Sequence, residues 1–225
     1  MTAIEQTALR NHLAVALDVD DLGTAVQLAR AVEPWFAVGK VGLELFGAAG
    51  PDAVRAVADT GLRVFLDLKL HDIPTTVERA GRVLRRLRPA FVTIHTLGGV
   101  EMLKAGVDAF GPETCVLGVT VLTSESSTDA ELDRRVEIAL AAGCPGVVTA
   151  ARNIARVKAL APSLTVVTPG IRPAGVDSHD HADPATPEAA LDAGSDLLVL
   201  GRAVTAADDP VAAARDLADA LANRR

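Results

Sequence analysis

Short apolar runs alternate with amphipathic stretches along the chain. The first run, Leu13 to Leu17, is apolar at every position and stops at Asp18. From Leu22 to Glu33 the period changes. Leu22, Val26, Ala29 and Val32 recur at helical spacing, which predicts a helix that Pro34 ends. Further strand-like runs cover 36–43, 63–68, 90–94, 114–119, 146–149, 165–168 and 196–200. Helical candidates cover 51–59, 75–88, 99–109, 129–142, 151–160, 187–193 and 210–222. Strands that are apolar on both faces belong to a parallel sheet covered by helices. Eight β/α pairs in 225 residues predict an α/β protein of the closed (β/α)8, or TIM, barrel type. No Gly-x-Gly-x-x-Gly follows the first run, which argues against a dinucleotide-binding sheet. No linker composition divides the chain, so residues 1–225 are expected to form a single barrel domain.

Composition narrows the class. Hydrophobic residues at 49% and charged residues at 23% exclude wholesale disorder. The net charge of −7, with 3% aromatics and no Tyr, lacks the basic and stacking footprint of a nucleic-acid binder. Two cysteines, Cys115 and Cys144, are too few for a disulfide framework and predict reduced thiols in a cytoplasmic protein. The first ten residues include Glu5 and no long apolar run, so no secretory signal is expected. No apolar stretch reaches the length of about 18 residues that a membrane span needs.

In such barrels the site lies where strands end, at the C-terminal rim. The polar residues there are Asp18, Lys40, Asp67, Lys69, Asp72, His95, Thr120, Thr123, Arg172 and Arg202. Charge inside an apolar strand is costly unless paired. Asp67 and Lys69 share a face of an extended strand, and Lys40 on the neighbouring strand can stand beside them. A structural ion-pair network would use the same residues. Yet an ammonium between carboxylates suits one chemistry, handing a proton to a carbanion. A carboxylate beside a substrate carboxylate loses its repulsion when CO2 departs.

A second constellation joins Thr168-Pro169-Gly170-Ile171-Arg172 to Leu200-Gly201-Arg202. Barrels often hold a phosphate between their last two loops, and Arg202 offers a forked pair of donors. The Gly/Pro/Asp-rich stretch at about 171–186 reads as a lid over that end. Within it, Asp177 to Asp183 superficially resembles a metal tract but reads better as a solvated loop. His71 and His95 are weaker candidates, and the run of arginines from Arg79 to Arg88 reads as a solvated helix face.

These motifs, in this order, resemble the short bacterial orotidine 5'-phosphate decarboxylases over roughly residues 12–205. The resemblance rests on Ala16-Leu17-Asp18, Lys40-Val41-Gly42-Leu43-Glu44-Leu45-Phe46 and Asp67-Leu68-Lys69-Leu70-His71-Asp72-Ile73-Pro74. To these it adds Gly118-Val119-Thr120-Val121-Leu122-Thr123-Ser124, Thr168 to Pro173 and Gly201-Arg202. It implies that Lys69 protonates C6 of the pyrimidine, with Lys40 and Asp67 as charged neighbours and Asp72 completing the catalytic set. It also implies that Asp72, Ile73 and Thr76 come from the other subunit of a homodimer. Asp18, Lys40 and Thr76 would hold the ribose, and Thr123 the pyrimidine edge. Pro169, Arg172, His181, Gly201 and Arg202 would surround the phosphate. No metal or organic cofactor is implied, and the partners are the nucleotide and a second copy of the chain.

The chain departs from the family pattern at the lid. His181 stands where a phosphate-contacting glutamine is usual, and Asp183 where an arginine is usual. Thr149-Ala150 replaces Cys-Ser, Thr96-Leu97 alters the motif after His95, and Ala203 replaces a proline. Three alternatives stay open at this point. One is a decarboxylase of a modified pyrimidine nucleotide. Another is a Mg2+-dependent 3-keto-6-phosphogulonate decarboxylase or hexulose-phosphate synthase, similar at Asp67, Lys69 and Asp72, although Lys40 would repel the cation. The third is a non-catalytic nucleotide-binding barrel.

Overall fold

The structure is a computed structural model that describes residues 3–122, 127–173 and 185–223. Helix α1 (Ala3–Arg10) precedes β1 (Leu13–Ala16), and α2 (Leu22–Val32) leads to β2 (Val38–Val41). Two helices, α3 (Leu43–Ala49) and α4 (Pro51–Ala58), connect to β3 (Arg63–Leu70). Then come α5 (Pro74–Leu84), β4 (Phe91–His95), α6 (Gly99–Phe110) and β5 (Cys115–Val119). The remaining units are α7 (Asp129–Ala141), β6 (Gly146–Val148), α8 (Ile154–Leu160), β7 (Thr165–Thr168), α9 (Pro187–Asp192) and β8 (Leu197–Leu200). Short α10 (Arg202–Thr205) and α11 (Pro210–Ala222) close the described chain. The eight strands form a closed barrel in chain order, with β8 pairing parallel to β1. The expected (β/α)8 barrel is therefore the fold.

Alternation along each strand splits the apolar side chains between two layers. Val15, Val64, Leu66, Val92, Ile94, Val147 and Leu198 face outward into the core beneath the helices. Ala14, Ala16, Val38, Phe65, Leu117, Val167, Leu197 and Val199 fill the barrel interior. Because both layers are buried, each strand reads as a largely apolar run. Helix starts are fixed locally: the Asp21 carboxylate accepts from Thr24 N–H, and Asp209 accepts from Val211 and Ala212 N–H. The hydrogen bonds from the Thr24 hydroxyl and amide hold the Asp21 carboxyl below its ordinary range. Among the described residues, no helix is long and apolar enough to cross a membrane.

Three differences from the expected elements matter. Helices α1, α3 and α10 are additional, and the run expected as a strand over 36–43 ends at Val41, because Gly42 caps α3 there. Strand β3 runs past Leu68 to Leu70. It is also not regularly extended. Its pairing with β4 advances from Leu66 to Leu70 while β4 advances only from Val92 to Ile94, and Lys69 sits at φ +48°. A bulge of this kind re-aims side chains at the end of a strand.

Candidate active site

At the C-terminal mouth, the interior-facing side chains of β1, β2, β3 and β4 are Ala16, Lys40, Asp67 and Thr93. Lys40 and Asp67 are each 9% exposed, and Thr93 is fully buried. Lys69 Nζ donates to Asp67 Oδ1 at 2.9 Å and Oδ2 at 2.8 Å. Lys40 Nζ lies 3.8 Å from Asp67 Oδ2 and donates to Asp18 Oδ1 at 2.8 Å. Charges thus alternate in the order Asp18, Lys40, Asp67, Lys69. Buried charges survive only when paired and hydrogen-bonded, and the two buried members, Lys40 and Asp67, meet both conditions.

The expected juxtaposition of Asp67 and Lys69 holds, but plain strand alternation is not its cause. Lys69 adopts a left-handed backbone inside the bulge, a conformation sparsely populated by residues other than glycine. Such strain persists where surrounding contacts over-determine it, often at functional sites. Here the Lys69 N–H donates to Thr93 Oγ1 at 2.9 Å, and the Thr93 hydroxyl donates to Asp67 Oδ1 at 2.9 Å. Thr93 was not among the candidate residues. Its one signal in the sequence is a polar side chain at an inward position of an otherwise apolar strand.

A cavity of about 300 Å³ opens over this array, lined by Asp18, Lys40, Asp67 and Lys69 on one side. Pro169, Gly170 and Arg172 follow β7, and Gly201 and Arg202 follow β8, on the other side. Phe65, Val119, Val148 and Val199 give it an apolar floor. The size falls at the lower end of small-molecule sites, about 300–1,000 Å³, and an apolar floor with few convergent polar groups is their usual character. Arg172 is buried and Arg202 exposed.

Not every candidate converges there. Asp72, Ile73 and Thr76 are exposed and do not line the cavity of their own chain; Asp72 Oδ1 accepts from the Ile73 N–H at 2.6 Å. The rings of His71 and His95 lie side by side, 5.5 Å apart, and neither lines the cavity. Thr123, His181, Asp183 and the Asp177–Asp183 tract lie outside the described residues, as does most of the stretch expected as a lid. Among the described residues, no group of three His, Cys, Asp or Glu side chains is placed to hold a metal ion. The cysteines offer no alternative nucleophile. Burial pushes the Cys115 thiol up to about 11; burial, then the neighbouring Cys115, pushes Cys144 up to about 12.

A family model described as orotidine 5'-phosphate decarboxylase / HUMPS family matches residues 11–217. The chain belongs to this family. A member from Thermobifida fusca, named orotidine 5'-phosphate decarboxylase, is 47% identical over 224 residues, covering 93% of this chain and 95% of the relative. One of the same name from Anaeromyxobacter sp. (strain K) is 45% identical, covering 93% of this chain and 98% of its own. Among solved structures, the orotidine 5'-phosphate decarboxylase from Lactobacillus acidophilus matches with a TM-score of 0.77 at 32% identity, covering 93% of this chain and 98% of that one. The barrel that carries the cavity is a fold shared with this solved relative.

Proposed function

We propose that this family member converts orotidine 5'-phosphate to UMP and CO2, a step of pyrimidine synthesis. The observation that carries the reading is the Lys40–Asp67–Lys69 array, its first two members buried, on one side of a cavity whose other side offers Arg172 and Arg202. The pyrimidine lies over the apolar floor with its C6 carboxylate beside Asp67. The C6–carboxylate bond breaks, its electron pair stays on C6, and CO2 leaves. The Lys69 ammonium gives C6 its proton, and the resulting amine regains one from solvent. Asp67 remains a carboxylate throughout, and its repulsion against the substrate carboxylate disappears as CO2 leaves. Lys40 and Lys69, in a site partly shielded from water, stabilise the developing carbanion more than water would.

The other residues bind. Asp18 and Lys40 hold ribose hydroxyls, Thr123 the pyrimidine edge, and Pro169, Arg172, His181, Gly201 and Arg202 the phosphate. Binding energy gathered at the remote phosphate favours the transition state. Every group that this chemistry needs is a side chain or backbone amide, with no metal or organic cofactor. A Mg2+-dependent sugar-phosphate reaction is disfavoured by Lys40, whose ammonium already lies between the Asp18 and Asp67 carboxylates where a divalent cation would bind.

The working form is a homodimer with shared sites. Leu43, Ile73, Leu97 and Val100 lie within five residues of the ends of β2, β3 and β4 and are between 37% and 65% exposed. Large apolar residues exposed after three neighbouring strands are a candidate interface. Pairing there brings the partner's Asp72, the partner's Ile73 and the partner's Thr76 to a cavity that their own chain does not place them in. Two free cysteines are in keeping with a cytoplasmic setting.

Ultraviolet-monitored turnover with EDTA present tests the reading, with orotidine as the phosphate-free comparison. Rapid loss of orotidine 5'-phosphate with UMP formed, and little loss of orotidine, is the expected result. A folded protein that leaves orotidine 5'-phosphate intact would overturn it and direct the search to a modified pyrimidine nucleotide.

A further inference from the structure

The bulge in β3 leaves a gap that one side chain closes. Leu66 is paired with Val92 and Leu70 with Ile94, so the segment carrying Asp67 and Lys69 lies outside the regular pairing with β4. Thr93 is the β4 residue between those two paired positions. Val92 and Ile94 point outward into the helix-covered core, which turns Thr93 inward at the level of Asp67. Its hydroxyl has one proton to donate and lone pairs to accept. The donated bond goes to Asp67 Oδ1 at 2.9 Å, and the accepted one comes from the Lys69 N–H at 2.9 Å.

We infer that Thr93 is a positioning residue for the decarboxylation: its hydroxyl ties the left-handed Lys69 backbone to the Asp67 carboxylate and so fixes the ammonium against C6. The inference rests on the proposed function and adds to it a residue that does not line the cavity. Asp67 receives donors at both oxygens, from Thr93 and Lys69 at Oδ1 and from Lys69 again at Oδ2. A carboxylate held this way cannot rotate from the substrate carboxylate when the two are brought together. Removing the hydroxyl frees Asp67 and also removes the Lys69 amide's bond at the point where the backbone is strained. Both effects act on the step at C6. Neither touches Asp18, Arg172 or Arg202, so binding of the nucleotide is spared.

The test compares Thr93→Val, which keeps the shape and loses the hydroxyl, with Thr93→Ser, which keeps the hydroxyl. The readouts are kcat and KM for orotidine 5'-phosphate, the Kd of UMP, and hydrogen exchange of the Lys69 amide. Thr93→Val is expected to lower kcat between about ten- and a hundred-fold, the scale of a small misplacement of reacting groups. KM and the UMP Kd stay within about three-fold, because the binding contacts are untouched. The Lys69 amide exchanges faster in Thr93→Val, and Thr93→Ser recovers most of the lost kcat. Should the valine variant fail to fold, Thr93→Ala makes the same comparison with serine. A hydroxyl-free variant that keeps wild-type kcat would overturn the inference, as would a serine variant as slow as that one. A wild-type protein that never turns over orotidine 5'-phosphate would instead overturn the proposed function, which keeps the two failures distinct.

Discussion

Lys69 reaches its place because its own backbone is left-handed and three bonds hold it there, one from its amide and two from its ammonium. Gly42 plays a comparable part for the Asp18–Lys40 pair, through the absence of a side chain. A Cβ at position 42 would lie 2.8 Å from Asp18 Oδ1 and 2.9 Å from Lys40 Nζ, closer than real Cβ contacts allow. Gly42→Ala therefore forces the Asp18 and Lys40 side-chain ends to shift, and steady-state kinetics should show KM raised by up to about ten-fold, the scale of one charge-assisted hydrogen bond lost. Melting should change little, since residue 42 is not strained. An unchanged KM would show that the pair does not hold the ribose. Lys40, Asp67 and Lys69 were legible in the sequence because charge interrupts apolar strands. Thr93 was not, because threonine is β-branched and is at home in any strand.

At the scale of elements, the eight strands could be read from the chain because a parallel barrel buries both faces of each one. The bulge in β3 could not, since Asp67-Leu68-Lys69 shows the same alternation whether the strand is flat or bulged. Helix α3 was hidden because Leu43 and Leu45, with Glu44 between them, prolong the strand-like pattern of β2, and only Gly42 marks the boundary. Helix α10 has four residues, too few for a period to show. Its start nevertheless places Gly201 and Arg202 at the mouth beside Arg172. Arg202→Ala should raise KM for orotidine 5'-phosphate by about ten- to a hundred-fold, the loss of one or two charged hydrogen bonds. The slow turnover of orotidine, which has no phosphate, should not change. Equal losses on both substrates would remove Arg202 from the phosphate site.

For the whole molecule, the barrel supplies the floor and two facing sides of the site, and the dimer proposed above would supply the rest. Its cavity brings Lys40, Asp67, Lys69 and the two arginines together within one chain, while Asp72 stays on the outer rim. Nothing in one sequence marks which residues cross an interface; the exposure of Leu43, Ile73, Leu97 and Val100 appears only once the fold is built. Lys69 as proton donor and Asp72 as its partner across the interface are tested together by mixing two inactive chains. Lys69→Ala and Asp72→Ala homodimers are each purified, shown to be folded, unfolded, mixed in equal amounts and refolded, and orotidine 5'-phosphate turnover is then measured. Each parent should fall at least about a hundred-fold, the scale of losing a general acid or its orientation. The mixture should regain about one quarter of wild-type activity, because half the dimers are hybrids and each hybrid carries one intact shared site. A Lys69→Ala homodimer near the wild-type rate would contradict the chemistry, and a mixture no more active than its parents would contradict the shared site.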